Sequence, residues 1–350
     1  MDKQKQELIE KIKSGSVNID DYIELADMYW NEGECNSLFE LYGELKKRNL
    51  SNNENAFVYH KEGHSLMDCN RTEEAKMAYS ASLEMLKNCA DSYDCINLKA
   101  LNHYYLFLLT DATNERQEHA KESLINLDLA TLHDDHQNDK KQHLVYSYMA
   151  DIYLRLGNYE KAISLYNTAL DCAATGRDKV WVLSAIASIY GRTNEYDKAM
   201  SYFTMALQEA DERDATSKIY FDMGIASFDN KRYRDAAESL EEALKTKNSS
   251  PSLKNNPEYE IDILWHLGTI AYRIDDEKRL ETRFARLFSM MDENHRYYAN
   301  ANITLGHHYL RKGKFEKARE YYNCVLTSPS ASLEEIDMAR ECLKQLPLNA

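Results

Sequence analysis

One pattern occurs twice in the middle of the chain, within residues 143–213, and its two copies stand 37 residues apart. The copies read HLVYSYMADIYLRLGNYEKAISLYNTALDCAATG and VWVLSAIASIYGRTNEYDKAMSYFTMALQEADER. Within each copy, small and aromatic residues recur at helical spacing on both sides of a short polar turn. Each copy therefore predicts two closely packed helices. The matched residues are Ala150/Ala187, Tyr153/Tyr190, Tyr159/Tyr196, Ala162/Ala199, Tyr166/Phe203 and Ala169/Ala206.

This order of residues resembles the tetratricopeptide repeat, in which a large residue, Leu, Gly or Ala, and Tyr precede Ala, an aromatic residue and Ala. The resemblance implies an all-α fold, a right-handed superhelical solenoid of antiparallel helix pairs. We predict eight such pairs in residues 19–332, with starts near 19, 56, 101, 143, 180, 217, 261 and 299. Residues 1–18 predict an N-terminal capping helix, and 333–350 a C-terminal capping helix and tail, because end units must cover their apolar faces. No Gly/Ser-rich linker interrupts the chain, which favours one continuous domain.

Composition narrows the classes of partner and location. Lys and Arg number 43 against 58 Asp and Glu, a net charge of −15, which argues against binding nucleic acid directly. No apolar run approaches the roughly 18 residues of a membrane span. The start MDKQKQELIEKIKSG lacks the apolar core of a secretory signal, so we expect a cytoplasmic protein. The seven cysteines form no CxxC pair, which argues against a disulfide framework or a structural zinc site.

No catalytic motif is present in the sequence. It contains no GxSxG, Walker loop, kinase signature or HExxH. His60 and His64 stand four residues apart on a predicted helix, which is a spacing that can chelate a metal, but no third ligand is visible. We therefore predict no enzymatic activity, no cofactor and no metal. A metal enzyme that uses His60 and His64 is the catalytic alternative.

The resemblance implies that the first helix of each unit lines a concave groove, through its second, fifth, ninth, twelfth and thirteenth residues. In the last five units the thirteenth place holds Arg155, Arg192, Asp229, Arg273 and Arg311. Arginine presents a planar fork of donors that suits carboxylates and phosphates. A cation is also favoured at a helix C-terminus, where it can pair with a neighbouring acid. Contact with a ligand and helix capping therefore both remain open for these arginines.

The other predicted groove residues are mostly aromatic: Trp181, Phe221, Phe228, Trp265, Tyr272 and His307. Aromatic side chains beside arginines are typical of the energetic centre of a protein interface. The alternative is that these rings close the seam between adjacent first helices or contact an end cap.

These features predict a non-catalytic scaffold or adaptor that holds a peptide or a helix of another protein in its groove. Acidic groups of that partner would contact the arginines. The alternative is a sensory or regulatory repeat module of a bacterial signalling system, either a peptide receptor or a partner of a kinase, protease or transcription regulator. Receptors of that kind usually carry an N-terminal effector bundle, and we expect residues 1–18 to be too short for one.

Overall fold

The computed structural model describes residues 3–14, 18–89, 92–132, 142–210, 213–248, 250, 253–254 and 256–347. Every regular element in these ranges is an α-helix, so the predicted all-α fold class is confirmed. The helices are α1 Lys3–Lys13, α2 Ile19–Asn31, α3 Cys35–Leu45, α4 Asn52–Asp68, α5 Thr72–Leu86, α6 Tyr93–Leu109, α7 Thr113–Leu132, α8 Gln142–Arg155, α9 Tyr159–Cys172, α10 Gly176–Arg192, α11 Tyr196–Glu209, α12 Arg213–Asp229, α13 Tyr233–Asn248, α14 Pro257–Arg273, α15 Glu277–Met290, α16 Tyr298–Arg311, α17 Phe315–Thr327 and α18 Leu333–Gln345.

The contacts divide the chain into two compact units, Met1–Cys172 and Ala173–Ala350. Helices α2 to α9 form four consecutive pairs in the first unit, and α10 to α17 form four in the second. Helix α1 packs on α2, and α18 packs on α17. Residues 1, 2 and 15–17 of the predicted cap and 348–350 of the predicted tail lie outside the described residues. The assignment of these pairs to eight repeat units stays a prediction.

Several first helices begin about one turn before the predicted unit starts, because polar caps add residues that the repeat pattern does not contain. Ser51 and Glu54 form a reciprocal capping box at the start of α4, and Thr175 and Asp178 form another at the start of α10. In both, each side chain accepts from the backbone N–H of the other residue, which satisfies donors that the helix leaves unpaired. At α6 the Ser92 hydroxyl accepts from the Cys95 N–H, and this helix begins eight residues before the predicted start.

Within a pair, a large side chain of the second helix covers a glycine of the first. A Cβ atom added at Gly63 would stand 2.8 Å from Cε1 of Tyr79, a ring that is fully buried. Gly306 lies in the same way against Tyr322, and Gly224 against Leu240. Because protein interiors are packed as densely as organic crystals, a glycine with so little room sets the distance between the two helices.

In most pairs, a residue in the left-handed backbone conformation lies in the turn between the two helices. The residue after it returns a backbone hydrogen bond to the last turn of the first helix, as from Asn158 N–H to the Tyr153 carbonyl at 2.8 Å. This is the six-to-one bond of a Schellman motif, which satisfies a carbonyl at the helix end and stops the helix. The residues with positive φ are Gly33, Asn70, Gly157, Asn194, Lys231, Asp275 and Gly313.

In the second unit the first helices also pack on one another. Helix α10 contacts α12, α12 contacts α14 and α14 contacts α16. We call the exposed surface of these four helices the first-helix face. Among the described residues no helix is both long and apolar enough to cross a membrane.

Replacing Gly63 with alanine is expected to destabilise the first unit by about 1–3 kcal/mol, because the added methyl group would overlap the buried Tyr79 ring. Gly43→Ala is the matched control, since Gly43 lies in helix α3 of the same unit and nothing stands within 4 Å of its missing Cβ. That change should stabilise by up to about 1 kcal/mol through helix propensity. Urea unfolding followed by circular dichroism measures both, and equal midpoints for the two variants would contradict the close-approach argument.

Candidate functional site

The four predicted arginines divide into two paired and two unpaired side chains. Arg311, at the end of α16, donates from Nη2 to Oδ1 of Asp275 at 2.7 Å, and its guanidinium lies 5.1 Å above the Tyr272 ring. In the first unit, Arg155 donates from Nε to Oδ2 of Asp151, also at 2.7 Å. For Arg155 and Arg311, an ion pair within the chain is sufficient to explain why an arginine stands at the helix end.

Arg192 and Arg273 end α10 and α14 and are exposed, and neither forms a hydrogen bond or ion pair with any residue that the structure describes. The contrast with Arg311 has a local cause. Arg311 reaches the left-handed turn residue of the preceding pair, which is Asp275, whereas the turn residue that precedes Arg273 in the same way is Lys231. A lysine cannot accept a hydrogen bond from a guanidinium. The donors of Arg192 and Arg273 are thus left to solvent or to a ligand.

Three of the predicted aromatic residues pack between helices. The Trp265 ring is stacked between Phe284, at 5.9 Å between centroids, and Tyr297, at 5.0 Å. Phe221 and Phe228 both meet the His266 ring edge to face. Each remains partly exposed, so each ring still presents part of its surface to solvent.

The remaining predicted residues differ in exposure. Trp181, near the start of α10, exposes 48% of its surface. Tyr272 is half-buried beneath the Arg311 guanidinium. His307 is half-buried near the C-terminal helix, with Nε2 3.6 Å from Sγ of Cys342, and burial lowers the pKa of this imidazole. Trp181 is therefore the ring on the first-helix face with most surface to offer.

A cavity of about 300 Å³ opens between α10 and α12 on the first-helix face. Small side chains on the two helices leave the room for it, and a Cβ atom added at Gly191 would come within 2.8 Å of the Ala226 Cβ. The cavity thus lies beside a point where the two helices almost touch. Its lining residues are Ser188, Gly191, Arg192, Asp222, Ile225, Ala226 and Asp229.

Asp222 is the charged lining residue that the sequence analysis did not single out. Its carboxyl group is partly buried and makes no hydrogen bond or ion pair within the described ranges. Burial disfavours the anion and raises the pKa of Asp222 to about 7, although the Lys218 ammonium opposes the shift. The corresponding residues of the neighbouring first helices are Ala185 and His266. The change to an acidic residue at this position indicates that Asp222 differs from its counterparts. Sequence alone could not show that a cavity lies in front of its carboxyl group.

In the first unit, the imidazoles of His60 and His64 pack against neighbouring side chains. His60 Nδ1 lies 2.9 Å from Oδ1 of Asn102, and the His64 ring meets Tyr105 edge to face at 4.3 Å. Burial lowers the pKa of His60 to about 4, so this imidazole is neutral at physiological pH. In the part of the chain that the structure describes, no group of three or more His, Cys, Asp or Glu side chains is arranged to hold a metal ion.

Stacked helix pairs with an exposed face of this kind form a repeat module for protein interaction. The tetratricopeptide repeat family model matches residues 142–212, and a second model of the same family matches residues 299–328. The chain therefore contains tetratricopeptide repeats. A comparison with curated proteins gives no match.

Solved structures share the fold over most of the chain. The apo form of the quorum sensor NprR from B. thuringiensis has a TM-score of 0.60 at 15% identity, covering 92% of this chain and 91% of that one. A Rap protein complexed with Competence and Sporulation Factor has a TM-score of 0.54 at 14% identity, covering 97% and 92%. The C-terminal part of a TPR repeat-containing protein from Cytophaga hutchinsonii has a TM-score of 0.50 at 17% identity, covering 79% and 98%. At these identities the likeness is one of fold.

The variant Asp222→Asn is expected to stabilise the protein at pH 8 but much less at pH 5. The folded chain holds the Asp222 proton up to a pKa of about 7, against about 4 when unfolded, so ionising this carboxyl group lowers stability as pH rises through that window. Asparagine removes the penalty, a gain on the order of 1–3 kcal/mol at pH 8. Urea unfolding between pH 5 and pH 8 measures it.

The control for the change in net charge is Asp229→Asn, which removes an exposed carboxylate from the same cavity. It should alter the unfolding free energy by under about 0.5 kcal/mol. Parallel stability curves for wild type and Asp222→Asn across the whole pH range would show that Asp222 carries no such penalty.

Proposed function

We propose that this chain is a non-catalytic scaffold or adaptor, which binds a peptide or a helical segment of another protein along the first-helix face of the second unit. The observation that carries the proposal is the pair of exposed, unpartnered arginines, Arg192 and Arg273, in a chain of net charge −15. Arginine donors that no acid of the chain occupies are suited to carboxylates of a ligand, which they bind in a bidentate fashion.

Other residues of the same face support the proposal. Trp181 lies on the same helix as Arg192 and is half exposed. Trp and Arg are among the residues that most often dominate the free energy of binding at protein interfaces. Phe221, Phe228 and Trp265 would supply partly exposed rings and hold the face rigid, which reduces the entropy lost when a ligand binds. The Arg311 guanidinium stacked on the Tyr272 ring would form one part of the surface. His307, one helical turn before Arg311 on α16, would form another.

The proposal includes no turnover, no cofactor, no metal and a cytoplasmic location. The acidic net charge favours a protein partner over nucleic acid, because a phosphate backbone needs cations in excess. Arg155 lies in the first unit and already has an acid of its own, so the proposal does not depend on it.

The second candidate function is a sensory or regulatory module of a signalling system. It is favoured by the fold shared with a quorum sensor and with a Rap protein in complex with a factor, over more than nine-tenths of this chain in both cases. Such a module would bind a short free peptide, whereas an adaptor would bind a segment that belongs to a larger protein. Both functions would use the same face, and the length of peptide sufficient for full affinity distinguishes them.

Peptides selected from a displayed library of random dodecapeptides should lose at least tenfold in affinity for Arg192→Glu and for Arg273→Glu, measured by fluorescence anisotropy. The reason is the loss of a charge-assisted contact and the introduction of a like charge. The matched control is Arg234→Glu, since Arg234 is also exposed and unpaired in the described part of the chain but lies on the second helix α13. If Arg234→Glu weakens binding as much as the other two, the first-helix face is not the site.

A further inference from the structure

We propose that the cavity between α10 and α12 binds one basic side chain of the ligand, a lysine or an arginine, through the carboxylate of Asp222. The inference rests on the proposed function, because it describes one position of a ligand on the first-helix face. It names a chemical class that neither the repeat pattern nor the exposed arginines indicate.

The size and lining of the cavity suit a single long side chain. Its volume of about 300 Å³ stands at the lower limit of small-molecule pockets and leaves no room for a large cofactor. Ile225 and Ala226 form apolar wall beside the carboxyl groups of Asp222 and Asp229. Lysine and arginine lay their methylene groups along apolar surface of this kind while the charged end reaches a polar partner.

The charge that is missing from the cavity is positive. Asp222 and Asp229 lie seven residues apart on α12, which is two helical turns, so both carboxyl groups stand on one side of the helix about 10 Å apart along its axis. Arg192 lines the same cavity but pairs with neither of them. An unpaired, partly buried carboxylate destabilises the folded chain, and a cation supplied by the ligand would remove that cost.

The presence of Arg192 at the rim adds a requirement on the ligand. Because Arg192 is itself unpartnered, a ligand that fits both groups carries a basic side chain next to an acidic one. The opposite charges of Asp222 and Arg192 would also discriminate against ligands that carry only a basic or only an acidic side chain. Such a ligand would leave one of the two protein charges unpaired.

Asp222 is the group expected to change charge near neutral pH. Burial raises the pKa of Tyr259 to about 12 and lowers the pKa of His266, so both side chains stay neutral from pH 6.5 upwards. A basic side chain should therefore bind about fourfold more tightly at pH 8 than at pH 6.5, as the ionised fraction of Asp222 rises. The charged and titratable groups on this part of α10, α12 and α14 include Lys218, Asp229, Arg192, Tyr259, His266 and Asp262, the last of which is paired with Arg296.

The test uses the full chain and a fluorescein-labelled positional-scanning library of heptapeptides. Wild type should select lysine or arginine at one position, and Asp222→Asn should lose that preference while it keeps the preferences at the others. In Asp222→Lys the same position should select aspartate or glutamate. The matched control is Asp197→Asn, an exposed acid on the second helix α11, which should select as wild type does.

A double-mutant cycle then isolates the contact. The selected peptide is compared with a copy that carries norleucine in place of the basic residue, against wild type and Asp222→Asn. Norleucine should weaken binding to wild type at least tenfold at pH 8, but by less than about twofold to Asp222→Asn. Unfolding midpoints of the variants confirm that each is folded.

The outcomes separate this inference from the function on which it rests. If wild type selects no peptide at all, the proposed function fails and the cavity assignment fails with it. If peptides bind and still lose affinity in Arg192→Glu, but show no basic preference or keep it in Asp222→Asn, the cavity assignment alone is wrong.

Discussion

The contact on which the structure depends is the close approach between a small residue of a first helix and a large buried side chain of its second helix. Gly63 beneath Tyr79 and Gly306 beneath Tyr322 leave no room for a Cβ atom. A helix pair held at that distance still exposes apolar surface, and the next pair covers it. Left-handed turns such as Gly157 or Gly313 bring the second helix back at once, so the same geometry recurs along the chain.

The fold was predictable because its determinants are local. The aromatic and small residues of a pair lie within about 35 positions of each other, and the helical period identifies them from sequence alone. The helix starts were less predictable, since caps such as Ser92 or the Thr175 and Asp178 box lie outside the repeat pattern. A hydrogen bond between neighbours in sequence, rather than the packing of the core, decides where those helices begin.

The helix ends that carry the candidate residues could be located from the sequence, but the pairing and exposure of those residues could not. The sequence placed arginines at helix ends, yet whether Arg311 and Arg273 are paired depends on the turn residue of another pair, Asp275 for Arg311 and Lys231 for Arg273. Likewise Trp265 is covered by Tyr297, a residue that precedes the next first helix. Asp222 could not be recognised, because the cavity before it depends on small residues of α10 as well as of its own helix α12. A partly buried, unpaired carboxyl group such as Asp222 weakens the folded state when it ionises, and a binding surface is a place where a protein can retain such a cost.

In the second unit, the packing of each first helix on the next first helix has an evolutionary consequence. Gain or loss of a whole helix pair by duplication or deletion would lengthen or shorten the face by one helix while leaving every internal contact of the other pairs intact. Each added pair would bring its own helix-end residue, charged or neutral, to the row that Arg192, Asp229, Arg273 and Arg311 now form. The span of ligand that such a chain can recognise, and the order of charges along it, can therefore diverge between descendants by recombination of intact segments, with no need to redesign a core.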